Sequence, residues 1–184
     1  YGAEFELSRK KGKFTGSVSY IYSRSMKLVE DINFGKWYPS NHDSPHNIFV
    51  NLNYDNGKRW KWGLNWMYLT GNAVTTPSGF FYYNNYTVPI YEQKNNDRLP
   101  NYHRLDVTST FRLSKPGKRY QHSLIFSVYN LYGRWNPYAI NFNKMVDNND
   151  VIVVPTDRYN PVDLVPTTFS VSAVVPSLNY KFSF

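Results

Sequence analysis

The sequence predicts an all-β chain of antiparallel strands, each with one apolar and one polar face, arranged as in a transmembrane β-barrel. Three observations predict it. Apolar and polar residues alternate with a period of two along most of the chain, the signature of strands with unlike faces. The connections alternate tight, long, tight, long, tight, long, which is the asymmetry of barrels whose short turns face one side of a membrane and whose long loops face the other. Finally, the 184 residues are 18% aromatic, with seventeen Tyr, yet their mean hydropathy is −0.56. No stretch approaches the ~18 apolar residues that would make a membrane helix.

The elements follow in order. The first strand sets Ala3, Phe5 and Leu7 against Glu4, Glu6 and Ser8, and Lys10-Lys11-Gly12-Lys13 turns the chain. The second places Phe14, Gly16, Val18, Tyr20 and Tyr22 against Thr15, Ser17 and Ser19. After a polar loop over residues 26–45, the third carries Ile48, Val50, Leu52 and Tyr54 against Asn47, Asn51 and Asn53. Asp55-Asn56-Gly57-Lys58 is a strong hairpin signal, because Asn-Gly supplies the positive φ that such turns need. The fourth strand has Trp60, Trp62, Leu64, Trp66 and Tyr68 on one face and Lys61, Gly63 and Asn65 on the other. A second long loop covers residues 71–101.

The fifth strand opposes Leu105, Val107 and Phe111 to Arg104, Asp106, Thr108, Thr110 and Arg112, a face too polar for a dry core without partners. Ser114-Lys115-Pro116-Gly117-Lys118 leads to a sixth strand through Leu124, Phe126 and Val128. A third loop, residues 134–166, is expected to hold a local hairpin of 138–143 with 151–154. The seventh strand then runs to the end, with Phe169, Val171, Ala173 and Val175 followed by Leu178, Tyr180, Phe182 and Phe184. That change of parity reads as a β-bulge at residues 174–176, since Pro176 cannot donate a ladder hydrogen bond.

Charge is segregated by the kind of connection. The net charge is +8, and ten of the 21 basic residues lie in or beside the three turns: Arg9, Lys10, Lys11, Lys13, Lys58, Arg59, Lys61, Lys115, Lys118 and Arg119. Nine of the 13 acids lie in the long loops: Glu30, Asp31, Asp43, Glu92, Asp97, Asp147, Asp150, Asp157 and Asp163. A nucleic-acid binder gathers basic and aromatic residues on one groove face instead, so no nucleic acid is expected. The chain has no Cys, which removes disulfide and thiolate chemistry. Tyr20, Tyr22, Trp60, Trp62, Tyr68, Tyr102, Tyr120, Tyr132 and Tyr180 bunch near strand ends, as in the aromatic girdles at membrane interfaces.

A lipid-exposed sheet must close on itself, because hydrocarbon satisfies no free edge, and seven strands are too few for that here. With the C-terminus at the short-turn side, the parity of connections puts Tyr1 at the loop end of its strand, so an upstream partner strand is expected. Residues 1–4 show neither Met nor the start of a signal peptide, which fits missing upstream sequence. The soluble alternative is an aromatic-rich, carbohydrate-binding β-sandwich, whose apolar faces would pack on one another.

Three segments carry a family resemblance. Arg98-Leu99-Pro100-Asn101-Tyr102-His103-Arg104-Leu105-Asp106, then Ser127-Val128-Tyr129-Asn130-Leu131-Tyr132-Gly133-Arg134-Trp135-Asn136-Pro137-Tyr138, then Pro176-Ser177-Leu178-Asn179-Tyr180-Lys181-Phe182-Ser183-Phe184 resemble the C-terminal barrel segments of TonB-dependent receptors of the Bacteroidetes. Asp43 and His46, with Trp66, Tyr68, Thr70 and Gly71, are similar to the same family. The resemblance spans nearly all of residues 1–184 and implies a C-terminal fragment of about seven strands from a 22-stranded barrel. It implies a multi-pass protein of the bacterial outer membrane that imports a scarce nutrient such as a siderophore, cobalamin or an oligosaccharide. Implied partners are outer-membrane lipid and lipopolysaccharide, the rest of the barrel and its plug, the TonB complex, the barrel-assembly machinery and a surface lipoprotein. It also makes Tyr180, Phe182 and Phe184 the C-terminal assembly signal. A passive porin or structural barrel is the alternative, and an upstream plug domain separates the two.

Catalytic chemistry is not expected, and neither is a metal or cofactor. His42 and His46 are four apart, but Pro45 rules out the helix that would bring them together. His103, Asp106 and Ser109 invite a hydrolase reading, yet Ser109 and Asp106 point to opposite faces of one strand. Asn85-Tyr86-Thr87 is a short glycosylation sequon of the kind that arises by chance. Arg104, Asp106 and Arg112 are expected as lumen-facing charges laddering against neighbouring strands or the plug. Ligand binding, where present, falls to the loops: Trp37, Tyr38, Phe80, Phe81, Tyr82, Tyr83, Tyr86 and Trp135 as aromatic platforms and Arg134 as a cation near the mouth.

Overall fold

The structure, a computed structural model, describes residues 1–84, 86–115, 117, 119–144, 164–170 and 173–184. Seven strands form one antiparallel sheet in sequence order: β1 (Gly2–Arg9), β2 (Phe14–Ser23), β3 (His46–Asp55), β4 (Trp60–Leu69), β5 (Tyr102–Arg112), β6 (Gln121–Tyr129) and β7 (Val175–Ser183). Each pairs with its predecessor, as a meander does. Among the described residues β1 and β7 are the two edges, and the sheet is open between them.

The register keeps like with like. One row of cross-strand partners runs Arg9, Gly16, Leu52, Leu64, Val107, Val128 and Pro176. The next runs Phe14, Tyr54, Trp62, Ser109, Phe126 and Leu178. Side chains directly opposite one another share a face, so most apolar residues of the seven strands lie on one side, with Ile21, Phe49, Met67 and Ile125 on the other. The other side carries Ser17, Asn51, Asn65 and Asp106 as one row and Thr15, Asn53, Gly63, Thr108 and Ser127 as another. There the amides of Asn51, Asn53 and Asn65 hydrogen-bond to each other, and Thr108 Oγ1 lies 3.4 Å from Ser127 Oγ.

These rows cross the strands on a slant relative to the turns. Arg9 ends β1, but Leu52 is three residues short of Asp55, Val107 five short of Arg112, and Val128 seven from Gln121. Seven residues are about 23 Å of strand, accumulated over five spacings of ~4.8 Å, or about 24 Å of sheet. The strands therefore lean about 40 to 45° from the line through their turns, the inclination that barrel closure requires.

Little of the molecule is buried. Among the described residues the fully buried hydrophobic side chains are Tyr38, Ala73 and Leu99, and all three belong to loops. The apolar face is uncovered: Phe5 is 67% exposed, Leu7 78% and Leu178 70%. In a sandwich a second sheet would cover these side chains.

The second tight turn is self-bonded. Asp55 Oδ1 accepts from the Gly57 N–H at 2.9 Å and Asn56 Oδ1 from the Lys58 N–H at 2.8 Å, with Gly57 at φ 74°. The long connections hold small ribbons. Met26–Lys27 pairs with Tyr38–Pro39, Ala73–Val74 with Asp97–Arg98, and Gly79–Tyr83 with Tyr86–Ile90. A 3-10 turn occupies Asn33–Gly35.

Two expectations about the third loop are corrected. The partner of Pro137–Lys144 is Leu164–Ser170, whereas residues 151–154 lie outside the described residues. Consequently the last strand is not one bulged element. Leu164–Ser170 belongs to the ribbon and Val175–Ser183 to the main sheet, so the change of parity marks a change of partner. Pro176 sits near the start of an edge strand, where a missing donor is tolerated.

Gly16 is fixed by backbone approach, since a Cβ there would lie 2.1 Å from the Asn51 carbonyl oxygen. Gly16→Ala is expected to destabilise the sheet by ~1 to 3 kcal/mol, read as a lower denaturant midpoint. Gly57→Ala, with nothing within 4 Å, is the matched control for backbone strain alone.

Candidate functional site

The long-loop end of the sheet is organised around Asp43. Its side chain is fully buried, with Arg98 Nη2 bonded to Oδ2 and Arg24 Nε 3.5 Å from Oδ1. The Ser25 N–H donates to Oδ1 at 2.6 Å. Arg98 Nη1 also donates to the carbonyls of Asp43, at 2.6 Å, and Gly71, at 3.1 Å. Burial alone would push the Asp43 carboxyl up, but the Ser25 N–H and the guanidinium groups of Arg98 and Arg24 outweigh it and hold its pKa below the ordinary value. A buried charge persists when it is paired and hydrogen-bonded in this way.

The network reaches all three loops. At Gly71 a Cβ would fall 1.7 Å from the Leu99 carbonyl oxygen, so the two ends of the second loop touch backbone to backbone. The Gly71 N–H donates to Asn101 Oδ1 at 3.1 Å, and the Asn101 carbonyl accepts from Arg134 Nη2 at 3.1 Å. Asn136 takes the place of a neighbouring strand: its Oδ1 accepts the His103 N–H at 3.1 Å and its Nδ2 donates to the His103 carbonyl at 3.0 Å. Asn130, at φ 52°, donates its N–H to Asp106 Oδ1 at 2.9 Å and its side-chain amide to the Arg134 carbonyl at 3.1 Å. Asn95 ties the second loop to the first through Pro39 O and Asn41 Oδ1, both at 2.7 Å. Asn95, Asn130 and Asn136 are buried, each saturating backbone groups that irregular chain leaves open.

The expected ligand residues divide. Trp37 and Trp135 are exposed, as are Phe80, Phe81 and Tyr83 on the Gly79–Tyr83 ribbon. Tyr82 and Tyr86 are placed by backbone pairing, opposite Thr87 and Tyr83. Tyr38 is corrected: at 4% exposure it packs inside the first loop and offers no platform. Arg134 is also committed, with Nε 3.3 Å from Asn136 Oδ1 in addition to its bond to Asn101. Its role is to brace the third loop. A recess of about 250 Å3 between the first two loops is lined by Asp31, Asn33, Thr75, Tyr91, Glu92 and Lys94. Asn33 and Lys94 close its floor, as the Asn33 amide donates to Lys94 O at 2.9 Å and accepts from Lys94 N–H at 2.6 Å.

On the polar face Arg104 pairs with Asp106 along its own strand, not across strands as expected, at 3.0 Å. It also donates to Tyr102 and Tyr129 and lies 4.1 Å from the Tyr129 ring centroid. Arg112 pairs with Asp55 two strands away and donates to Lys58 O at 3.0 Å. Tyr180 and Phe182 lie on the apolar face, with Phe182 stacked on Tyr120 at 6.0 Å and 13°, and Phe184 fully in the open. Among the described residues no three His, Asp or Glu side chains converge as metal ligands. His103 and Ser109 are six residues apart on one strand, about 20 Å, and do not meet. The sequon Asn85 lies outside the described residues.

Set against known protein families, characterised proteins and solved structures, the chain finds no match.

Asp43→Asn is expected to cost roughly 3 to 5 kcal/mol, because it strands Arg98 and Arg24 at a buried site. Since the folded pKa of Asp43 is lowered, its contribution is present above the unfolded value of 3.8 and is lost as pH falls below it. Thermal melts at stepped pH should show a fall below about pH 4 that is smaller in Asp43→Asn.

Proposed function

We propose that this chain forms part of the wall of an outer-membrane β-barrel belonging to a TonB-dependent transporter that imports a scarce nutrient. The observation that carries the reading is the uncovered apolar face, continuous across seven strands and bounded by aromatic residues. Toward the turns these are Phe14, Tyr54, Trp60, Trp62, Phe111 and Phe182; toward the loops they are Tyr22, Tyr68 and Tyr132, with His46 and His103 hydrogen-bonded to Tyr20 and Tyr132 at 2.9 and 2.8 Å. From Trp60 to Tyr68 is about 27 Å of strand. At a tilt of ~40° that spans about 20 Å, close to the ~25 Å apolar band of such barrels.

Water is absent from that band, so the only sheets that stand there are closed. The slant of the cross-strand rows and the polar opposite face, with its Asn ladder and Arg104–Asp106 pair, fit a wall between lipid and a wet lumen. The choice of an energy-coupled transporter over a passive porin rests on the sequence resemblance, with the plug and the TonB complex as partners. In that reading the long loops face outward. Trp37, Phe80, Phe81, Tyr83 and Trp135 are the side chains there that a ligand would meet.

Two measurements test this. Leu64→Arg, at the centre of the apolar face, is expected to weaken lipid insertion by ~2 to 4 kcal/mol, scored by heat-modifiable mobility after refolding into vesicles; neutral behaviour would sink the membrane reading. Deleting the gene should impair growth when a particular nutrient is scarce, and removing TonB should reproduce the defect. Uptake that persists without TonB assigns a passive channel instead.

A further inference from the structure

Gly16 leaves a notch in the apolar face. Its neighbours in the row are Arg9 and Leu52, and the close approach of Asn51 O forbids any side chain at that position. The notch widens into a shallow groove of about 410 Å3 between Leu7, Val18, Leu52, Tyr54, Trp62 and Leu64. Those residues come from β1 to β4 and Val107 of β5 completes the lining, so the groove runs over five strands of the face. It is apolar along its length and has a cation, Arg9, at the turn end.

Arg9 is held there without being neutralised. Its Nε donates to the Lys11 carbonyl at 3.1 Å. Gly12, at φ 102°, makes room for it, since a Cβ at Gly12 would sit 3.1 Å from Arg9 Nη2. Among the described residues the ion pairs are those of Arg24, Arg98, Arg104 and Arg112, so no carboxylate is paired with Arg9. Lys10, Lys11 and Lys13 beside it are exposed. The other turns also carry an arginine, but each lies over a ring: Arg59 is 6.0 Å from the Phe111 ring and Arg119 5.6 Å from that of Tyr120.

We propose that this groove seats one anionic phospholipid, with an acyl chain lying across Gly16 and the phosphate on the Arg9 guanidinium. The inference rests on the membrane reading above and adds a defined lipid site to it. An exposed guanidinium offers the planar, paired donors that suit a phosphate. The three neighbouring lysines repel the amine of a zwitterionic headgroup while attracting a net negative one, which selects phosphatidylglycerol over phosphatidylcholine. Each apolar methylene withdrawn from lipid gains nothing by transfer alone, so selectivity comes from the charge and from the fit of the chain to the notch.

The test uses the natural protein that contains this chain, reconstituted in phosphatidylcholine vesicles carrying a trace of phosphatidylglycerol with a photoactivatable diazirine on its acyl chain. Mapped by peptide mass, labelling is expected to concentrate on the peptides holding Val18, Leu52 and Trp62, several-fold above those holding Phe126 and Leu178. Arg9→Gln should lower that preference by up to about fivefold, the effect of one cation at an anionic surface. Leu52→Trp should fill the groove and displace the label with the charge intact. Uniform labelling of the apolar face, or an equal pattern from the phosphatidylcholine probe, overturns the lipid site and leaves the membrane reading standing. Failure of the protein to enter vesicles, with no labelling anywhere on the face, overturns both.

Discussion

Leu52, Leu64, Val107 and Val128 stand side by side across four strands because every hairpin in the sheet keeps the same parity. That shared parity is the constraint on which the rest of the molecule depends. A slip of one residue in any hairpin would carry a whole strand's apolar set to the polar side and bring its Asn, Ser and Arg residues to the other. The turns hold it in place. Asp55 and Asn56 bond to the backbone two residues on, and Arg112 reaches back to Asp55 and Lys58, so the second turn is tied to the fifth strand as well as to its own.

The two ends of the sheet solve different problems. At the turn end the chain reverses in a few residues, backbone groups are satisfied locally, and cations spread into solvent. At the loop end, irregular chain must be anchored over long separations. One buried carboxylate and three buried asparagines do this, with Asn101 beside them, binding carbonyls and N–H groups that have no ladder to join. Asp43 and Asn136 are the clearest cases: one gathers two arginines from different loops, and the other stands in for a strand beside His103. The aromatic side chains left exposed on these loops differ from Tyr38, which is buried within the first loop.

The absence of a conventional core among the described residues and the extent of the apolar face are one fact seen from two sides. Side chains that pack inward in a soluble domain here point away from the sheet, and the buried hydrophobic residues are confined to the loops. Under the proposed function that face meets lipid, with interfaces that favour Tyr and Trp at its margins. The Gly16 groove interrupts this otherwise continuous surface, and the cation at its turn end gives the interruption a chemical direction.

By itself the sequence determined the seven main strands, their facing, the three tight turns and the segregation of charge, because period-two alternation and Asn-Gly turn chemistry are local properties. It also marked Asp43, Gly71, Asn101, Asp106, Asn130 and Asn136 as parts of motifs, without saying what they do. Only the tertiary structure decided that they form one network, since their partners lie 20 to 55 residues away and no local pattern encodes which carbonyl an amide will find. It alone decided that Leu164–Ser170 leaves the last strand to pair with Pro137–Lys144, because two β-prone segments of compatible parity look alike until a partner is chosen. The groove at Gly16 is of the same kind: a missing side chain is visible in the sequence, but five strands must be set in register before it becomes a space.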